Sequence, residues 1–563
     1  MESTGRIISK YYTLIFSGLI LSLTVQAQQE EVRVVKPYNP TLSGAEKIQL
    51  LPDLDGEIDY EPPTFTYQLF QKRYDSQFRV EPIQAARMVQ MPLKRLYKTQ
   101  LTMGMGNYLT PIFELNASQL RSRDGTFGVN LRHHSMNGKI KLDNELKTDA
   151  GFNENLAEIY GSRFLKNSVF DYSAGATYNS NVHYGVDPEL DTVISRADAV
   201  HPYFTAAAKL GLHSMHADSF HFNYHTDLEY YYFTHRFERR DEGGKFEHGG
   251  QFGFRFDKKL RILDIAGDAG GAHYYRYSDT DTASDIDNNS FIWLNPHIGK
   301  QSREWRFTAG FKSYAHIENS VLRFHFYPQA TFQFNIVREV IVPYFGLDGY
   351  LESNNNRSMV EENPYVIPGM GYRPTSHKLI AYAGLKGRFS KAVAWNLKGS
   401  YSIIDDQYFF VNDTGTALMN QFDVVYDDIT LVNLHGEFTV RPNDSWKFFL
   451  KGNYYSYTLV REDQPWNRPD FDLSLQARYN MRDKILVDMG IYTVGPRYYQ
   501  DFNPALEESL PLTLDASLGI EYRYSNLLSF WIRFNNLAAQ KYYLYHQYPS
   551  YRFRVMLGLT YAL

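Results

Sequence analysis

No cysteine occurs at any of the 563 positions. That excludes disulfides, thiolate nucleophiles, cysteine metal sites and a lipid-anchored cysteine behind an export signal. A large excess of either charge sign is missing too. The net charge of −5 gives neither the footprint of a nucleic-acid binder nor a polybasic membrane patch, so nucleic acid is not an expected partner. After the first 27 residues no apolar run approaches the ~18 residues of a spanning helix. Also missing are a Ser/His/Asp nucleophile elbow, a glycine-rich phosphate loop and a zinc motif. The expectation is a protein that is not an enzyme and needs no cofactor.

What the chain does have is aromatic residues, with 45 Tyr and 38 Phe but only 6 Trp, and a strict alternation of side chains. Tyr551, Phe553, Val555, Leu557, Leu559, Tyr561 and Leu563 point one way. Arg552, Arg554, Met556, Gly558, Thr560 and Ala562 point the other. A strand repeats every two residues, so one face is greasy throughout. From Tyr551 to Tyr561 the rise, at about 3.3 Å per residue and a tilt near 45°, is roughly 23 Å, close to the apolar band of an outer-membrane barrel. The same pattern recurs in Leu322–Asn335, Leu512–Tyr524 and Phe220–Tyr232. Aromatic residues suit both strands and membrane interfaces.

The N-terminus reads as an export signal, residues 1–27. Arg6 and Lys10 precede an apolar stretch, and Val25-Gln26-Ala27 is a small-residue cleavage pattern that places the cut between Ala27 and Gln28. Residues 28–97 are irregular and carry Pro37, Pro40, Pro52, Pro62, Pro63, Pro82 and Pro92. This segment is either an extended periplasmic arm or one folded back into a lumen. From residue 98 to 563 the chain is strand, turn, strand, and its connections take turns between short and long. Short ones include Ser390–Ala392, Arg441–Ser445 and Met481–Lys484; long ones include Met136–Glu154, Ser278–Asn289, Ser353–Ser376 and Asp405–Asp427. Asn107–Pro111 and Glu318–Ser320 are short connections on the long-loop side. Short periplasmic turns and longer outer loops are the mark of an outer-membrane barrel. The fold class expected is all-β, a transmembrane antiparallel β-barrel of about 22 strands. It would lie in the cell outer membrane with both termini periplasmic, among outer-membrane lipid and lipopolysaccharide.

Phe534-Asn535-Asn536-Leu537, Lys541-Tyr542-Tyr543, Tyr548-Pro549, Arg552 and Gly558-Leu559-Thr560-Tyr561 resemble the closing segment of TonB-dependent receptors. In that family an Asn-Leu precedes a Tyr-rich outer loop and a final strand, and the last residue is usually Phe, where this chain has Leu563. The barrel start, Leu96-Tyr97-Lys98 with Gly104-Met105-Gly106-Asn107-Tyr108-Leu109-Thr110-Pro111, is similar to outer-membrane proteins of Bacteroidota that carry the same label. The resemblance implies solute passage. It also implies a globular plug of well over a hundred residues, for which residues 28–97 are too few, and a TonB box, for which Val32, Arg33, Val34 and Val35 are the candidate. Size points the same way, since barrels of this size carry a filled lumen. The alternative is a barrel subunit or scaffold that docks with surface or periplasmic proteins.

Metal readings are weak. His221 and His225 share a face with Asp227 and Glu229, but positions four apart on a strand are about 13 Å apart, too far for one ion. Asp279, Asp281, Asp285 and Asp287 crowd one expected loop, and Asp187, Glu189 and Asp191 another. Such carboxylates can hold calcium, yet the EF-hand spacing is not met. Asp268-Ala269-Gly270-Gly271 falls inside a strand, where small residues allow bending.

Overall fold

The computed structural model describes residues 97–563, apart from 120–121, 187–191, 193, 216–220, 236–244, 281–282, 338, 368, 416–417 and 501–506. The expected signal with its Ala27/Gln28 cut, the arm behind it, the candidate TonB box Val32–Val35 and the acidic loop at Asp187–Asp191 lie outside the described residues.

Twenty-two strands form one sheet in which every neighbour is antiparallel and the ends meet. The first strand, Thr99–Gly106, pairs with the last, Arg554–Ala562, from Gln100 opposite Ala562 to Gly106 opposite Met556. Leu563 completes the seam, donating to Thr99 O at 2.7 Å and accepting from Lys98 N at 2.6 Å. A closed sheet leaves no unpaired backbone edge, which is what a strand-built membrane protein requires. The expected barrel of about 22 strands is what the chain forms.

Alternation sets which side each residue faces. In the strand Val321–Phe334, Phe324 and Phe326 are 65 % and 70 % exposed, the outward apolar face that lipid covers on a membrane barrel. The next residue, Tyr327, is buried on the lumen side and its hydroxyl meets Ser376 Oγ at 2.8 Å. Turns at the rim that carries Lys98 and Leu563 are tight. Arg482 and Asp483 adopt φ of 52° and 57°, and Lys484 N donates to Met481 O at 3.0 Å. Two consecutive positive φ values are the type I′ geometry that matches strand twist. Asn319 and Ser320, at φ 45° and 72°, make the same short turn at the opposite rim.

The structure corrects several boundaries. Met136–Glu154, Ser278–Asn289 and Asp405–Asp427 were expected as loops, but they are mostly ladder. Met136 pairs with Phe152, Ser278 with Asp285 and Gln407 with Asp427. These strands, such as Val393–Asn412 and Phe422–Asn443, run past the lipid. Outside the bilayer an outward residue no longer needs to be apolar, so the hydrophobic signal stops while the hydrogen bonds continue. Asp287 therefore sits in a strand opposite Arg276, with Nε to Oδ2 at 3.9 Å. Tyr551 is also corrected. The last strand begins at Arg554, and Tyr551 turns inward to a buried position against Tyr108, ring centroids 4.7 Å apart. Phe553, its ring tilted against that of Phe534 with centroids 6.1 Å apart, takes its place at the upper edge of the greasy band.

Candidate functional site

The connections at the rim opposite Lys98 and Leu563 do not stand up from the wall. They fold across the mouth. The 353–374 connection contains a seven-residue helix, Asn356–Glu362. Asn355 starts it with a reciprocal cap, its Oδ1 accepting from Ser358 N at 2.9 Å while Ser358 Oγ accepts from Asn355 N at 3.1 Å. Buried Glu247, on the lumen face of the strand Lys245–Lys258, seats this helix. Its Oε2 accepts from Asn356 N and Nδ2 at 2.9 and 3.0 Å, and its Oε1 accepts from Tyr231 at 2.7 Å. Arg357 pairs with Glu229 at 3.4 Å and Glu361 at 3.2 Å, and lies 4.8 Å from the Tyr231 ring centre. Beneath it is a polar cavity of about 230 Å³ lined by Glu229, Tyr231, Gln251, Tyr274, Arg357 and Glu361.

Past the helix, the chain meets loops from three other hairpins. Tyr365 stacks on Tyr548 with centroids 3.6 Å apart. Phe422 N donates to Tyr365 O at 3.0 Å, and Ile367 N donates to Phe422 O at 2.9 Å. His183 Nε2 donates to Pro364 O at 3.0 Å, Asn420 Nδ2 to His183 O at 3.1 Å, and Tyr184 to Pro549 O at 2.8 Å. Tyr548 is fully buried and its hydroxyl donates to Asn420 O. Glu362 gathers Arg468 at 2.9 Å and the Tyr408 hydroxyl, while its carbonyl accepts from Tyr545 at 3.1 Å. Burying side chains of this size contributes about 1.5–3 kcal/mol each.

The geometry of the ring gives these contacts their meaning. His183 follows the fifth strand, Ser168–Val182, and Asn420 precedes the sixteenth, Phe422–Asn443; the hairpins they join, Ser168–Ser214 and Val393–Asn443, are ten strands apart on a ring of 22. At ~4.8 Å between strands and a tilt near 40°, the cylinder is about 45 Å across. Each loop therefore reaches roughly half that width to touch the other. The mouth is closed by the chain's own residues.

Electrostatics supports the closed form. Asp427 is buried and accepts backbone N–H from Val460, Arg461, Glu462 and Asp428 at 2.8–3.0 Å. Burial opposes its ionisation, but these donors outweigh it and hold the carboxyl below its ordinary value. It thereby organises the loop after Leu459. His183 and His201 stack at 3.7 Å. Burial, then the neighbouring His201, keeps His183 well below the usual imidazole range, and burial pushes His201 down to about 4.

The C-terminal signature proves structural. Asn535 ends its strand opposite Arg554. Asn536, buried at φ 48°, donates to Gln540 O at 2.7 Å and Tyr551 O at 3.1 Å and accepts from Gln540 N at 3.0 Å. It roots the Tyr-rich loop that enters the lid. Leu537 is exposed, and Tyr561 lies opposite Leu528 and Leu101. His225 approaches Asp227 at 3.8 Å, and among the described residues no three His, Asp or Glu side chains are grouped to hold a metal ion. Gly270 lies under Trp293, whose indole donates to Asp268 at 3.0 Å. Sequence reasoning missed Tyr184, Glu247, Glu362, Tyr365 and Tyr548 as lid residues. The one available signal was the aromatic and apolar content of stretches such as Pro364-Tyr365-Val366-Ile367.

Solved structures with the same architecture include the siderophore receptor PirA from Acinetobacter baumannii, with TM-score 0.65, 8% identity, and 84% of this chain and 81% of that one covered. The two chains share their barrel fold. The ferripyoverdine receptor of the Pseudomonas aeruginosa outer membrane, bound to ferripyoverdine, matches with TM-score 0.62, 11% identity, and 84% and 72% covered. The ferric-catecholate import receptor Fiu from E. coli K12 gives 0.60, 9%, and 83% and 82%. At such identities this siderophore-receptor likeness is one of fold. No protein-family model and no curated protein matches the chain.

Proposed function

We propose that this chain is a gated passage for a polar solute across the outer membrane, with its termini at the periplasmic rim and its closed mouth outward. The observation that carries this reading is the meeting of His183 and Asn420 from opposite sides of the ring. A scaffold has no need of a lid across a lumen, whereas a wide passage left unclosed would leak. The fold shared with import receptors favours uptake as the direction. Energised uptake is the finer form of this reading, with Val32–Val35 as the segment TonB would engage. Passage requires no covalent chemistry, so the chain acts here as a conduit and not as an enzyme.

Replacing residues 354–374 by a short Gly/Ser linker removes the helix and Tyr365 together. In planar bilayers this variant is expected to raise single-channel conductance several-fold, and in proteoliposomes to admit a neutral trisaccharide. Conductance equal to that of the intact chain would refute the gate.

A further inference from the structure

One quadrant of the lumen wall carries cations that the lid does not use. The strands Thr375–Ser390, Val393–Asn412, Phe422–Asn443 and Trp446–Leu459 are consecutive neighbours. Their exposed residues Leu385, Phe389, Leu397, Leu434 and Leu450 face lipid, so alternation turns Arg388, Lys398, Arg441 and Lys451 into the lumen. Lys447 shares that side, two positions before Phe449, which pairs with Thr439.

Register fixes the pattern. Lys386 is opposite Asn396, Asn396 opposite Glu437 and Glu437 opposite Lys451. One row toward the lid, Gly384, Lys398 and His435 align. Rows two residues apart are about 6.7 Å apart, so the patch runs roughly 20 Å along the wall.

The nearby carboxylates are already engaged. Glu437 faces His435 at 3.4 Å, Asp488 holds Arg478 at 2.6 Å, and Asp472 accepts from Asn453 and Tyr455 at 3.0 Å. Nε and Nη2 of Arg441 are buried with no hydrogen-bond partner among the described residues. Arg388 is near enough for its charge to act on Arg441. Tyrosines back the patch. Lys398 Nζ lies 4.8 Å from the Tyr382 ring centre and Lys386 Nζ 5.6 Å from that of Tyr344, whose hydroxyl donates to Asn396 at 2.7 Å. Acidic side chains such as Glu114, Glu154 and Glu229 sit on strands about half a turn round the ring, where Arg132 and Lys209 pair with them. On a cylinder about 45 Å across, with a screening length near 8 Å, the two walls act independently.

We propose that this basic, tyrosine-backed quadrant is a binding track for a polyanionic solute, one carrying several carboxylate, phosphate or sulfonate groups. The inference rests on the passage reading and names its solute class. Guanidinium and ammonium groups at regular spacing meet such a solute at several points, and desolvated Arg441 gains the partner it lacks.

The probe is a pyrene carrying three sulfonates, followed by fluorescence anisotropy with the full-length protein in detergent. K398Q/R441Q/K451Q is expected to bind it at least tenfold more weakly. E437Q, which removes the carboxylate between Asn396 and Lys451, is expected to bind it several-fold more tightly, a gain that no folding defect produces. Equal affinity in wild type and the triple variant, or no gain in E437Q, overturns the track. Trisaccharide entry through the lid-less variant is independent of charge, so it separates failure of the track from failure of the passage.

Discussion

Acidification should open the lid. His183 is 2 % exposed, its Nδ1 has no partner among the described residues, and it stacks on His201. Around it are Tyr365, Tyr184, His201 and His235, and Lys245 acts on His235. Burial lowers His183 well below the ordinary value, His201 to about 4 and His235 to about 3. In an open mouth the same imidazoles meet water and titrate near 6.5. A base whose closed-state pKa is depressed favours the closed state above 6.5, and that advantage is lost as pH falls from 6.5 toward its closed-state value. Each released imidazole shifts the balance by about 1.4 kcal/mol, or tenfold, per pH unit in that window. If His201, at about 4 in the closed mouth, is freed, the fall from pH 6.5 to 4.5 raises the open-to-closed ratio about fortyfold. Asp427 has its carboxyl held low and stays ionised through most of this range, so its loop does not add to the effect. Open probability of single channels between pH 7.5 and 4.5 measures the slope. His183→Gln should reduce it by one proton. A flat profile, or an identical slope in the variant, refutes the reasoning.

Two further outcomes follow from particular contacts. Asp427→Asn loses a charge that takes four backbone donors, a cost of about 2–3 kcal/mol, and limited proteolysis should then cut within 460–470; protection equal to wild type counts against the anchor role. A Cβ at Gly104 would overlap the Trp531 ring lying across the closure seam, so Gly104→Leu should lower the yield of heat-resistant folded barrel on gels. Trp531→Ala in the same chain should restore it, and no rescue would place the defect elsewhere.

The barrel was legible because lipid imposes a rule on every second residue. Leu322 to Asn335 shows it plainly, and the exposed Phe324 and Phe326 obey it. The rule ends where the bilayer ends. Beyond it Met136–Glu154 and Asp405–Asp427 keep their ladders with no apolar outer face, so they read as loops. Tyr551 kept the parity of the last strand in sequence but left it in space, drawn into the aromatic cluster with Tyr108 and Tyr548. The lid was invisible for a different reason. Tyr184, Tyr365, Phe422 and Tyr548 come from four hairpins, and no local period links residues that meet only once a cylinder has brought them together. Asn536 showed as part of a motif, yet its work as a loop anchor needed the hydrogen bonds to be seen.

The bond between Tyr184 and Pro549 joins residues 365 positions apart. Contacts of such separation are formed late, since most of the chain must already be in place to bring them together. During insertion into the bilayer, then, the loops cross the mouth of a cylinder that is already nearly finished, and the lid is the last part to form. A stalled or misthreaded copy would leave the buried Tyr184, Tyr365 and Tyr548 without their partners, which gives quality control an apolar surface to detect.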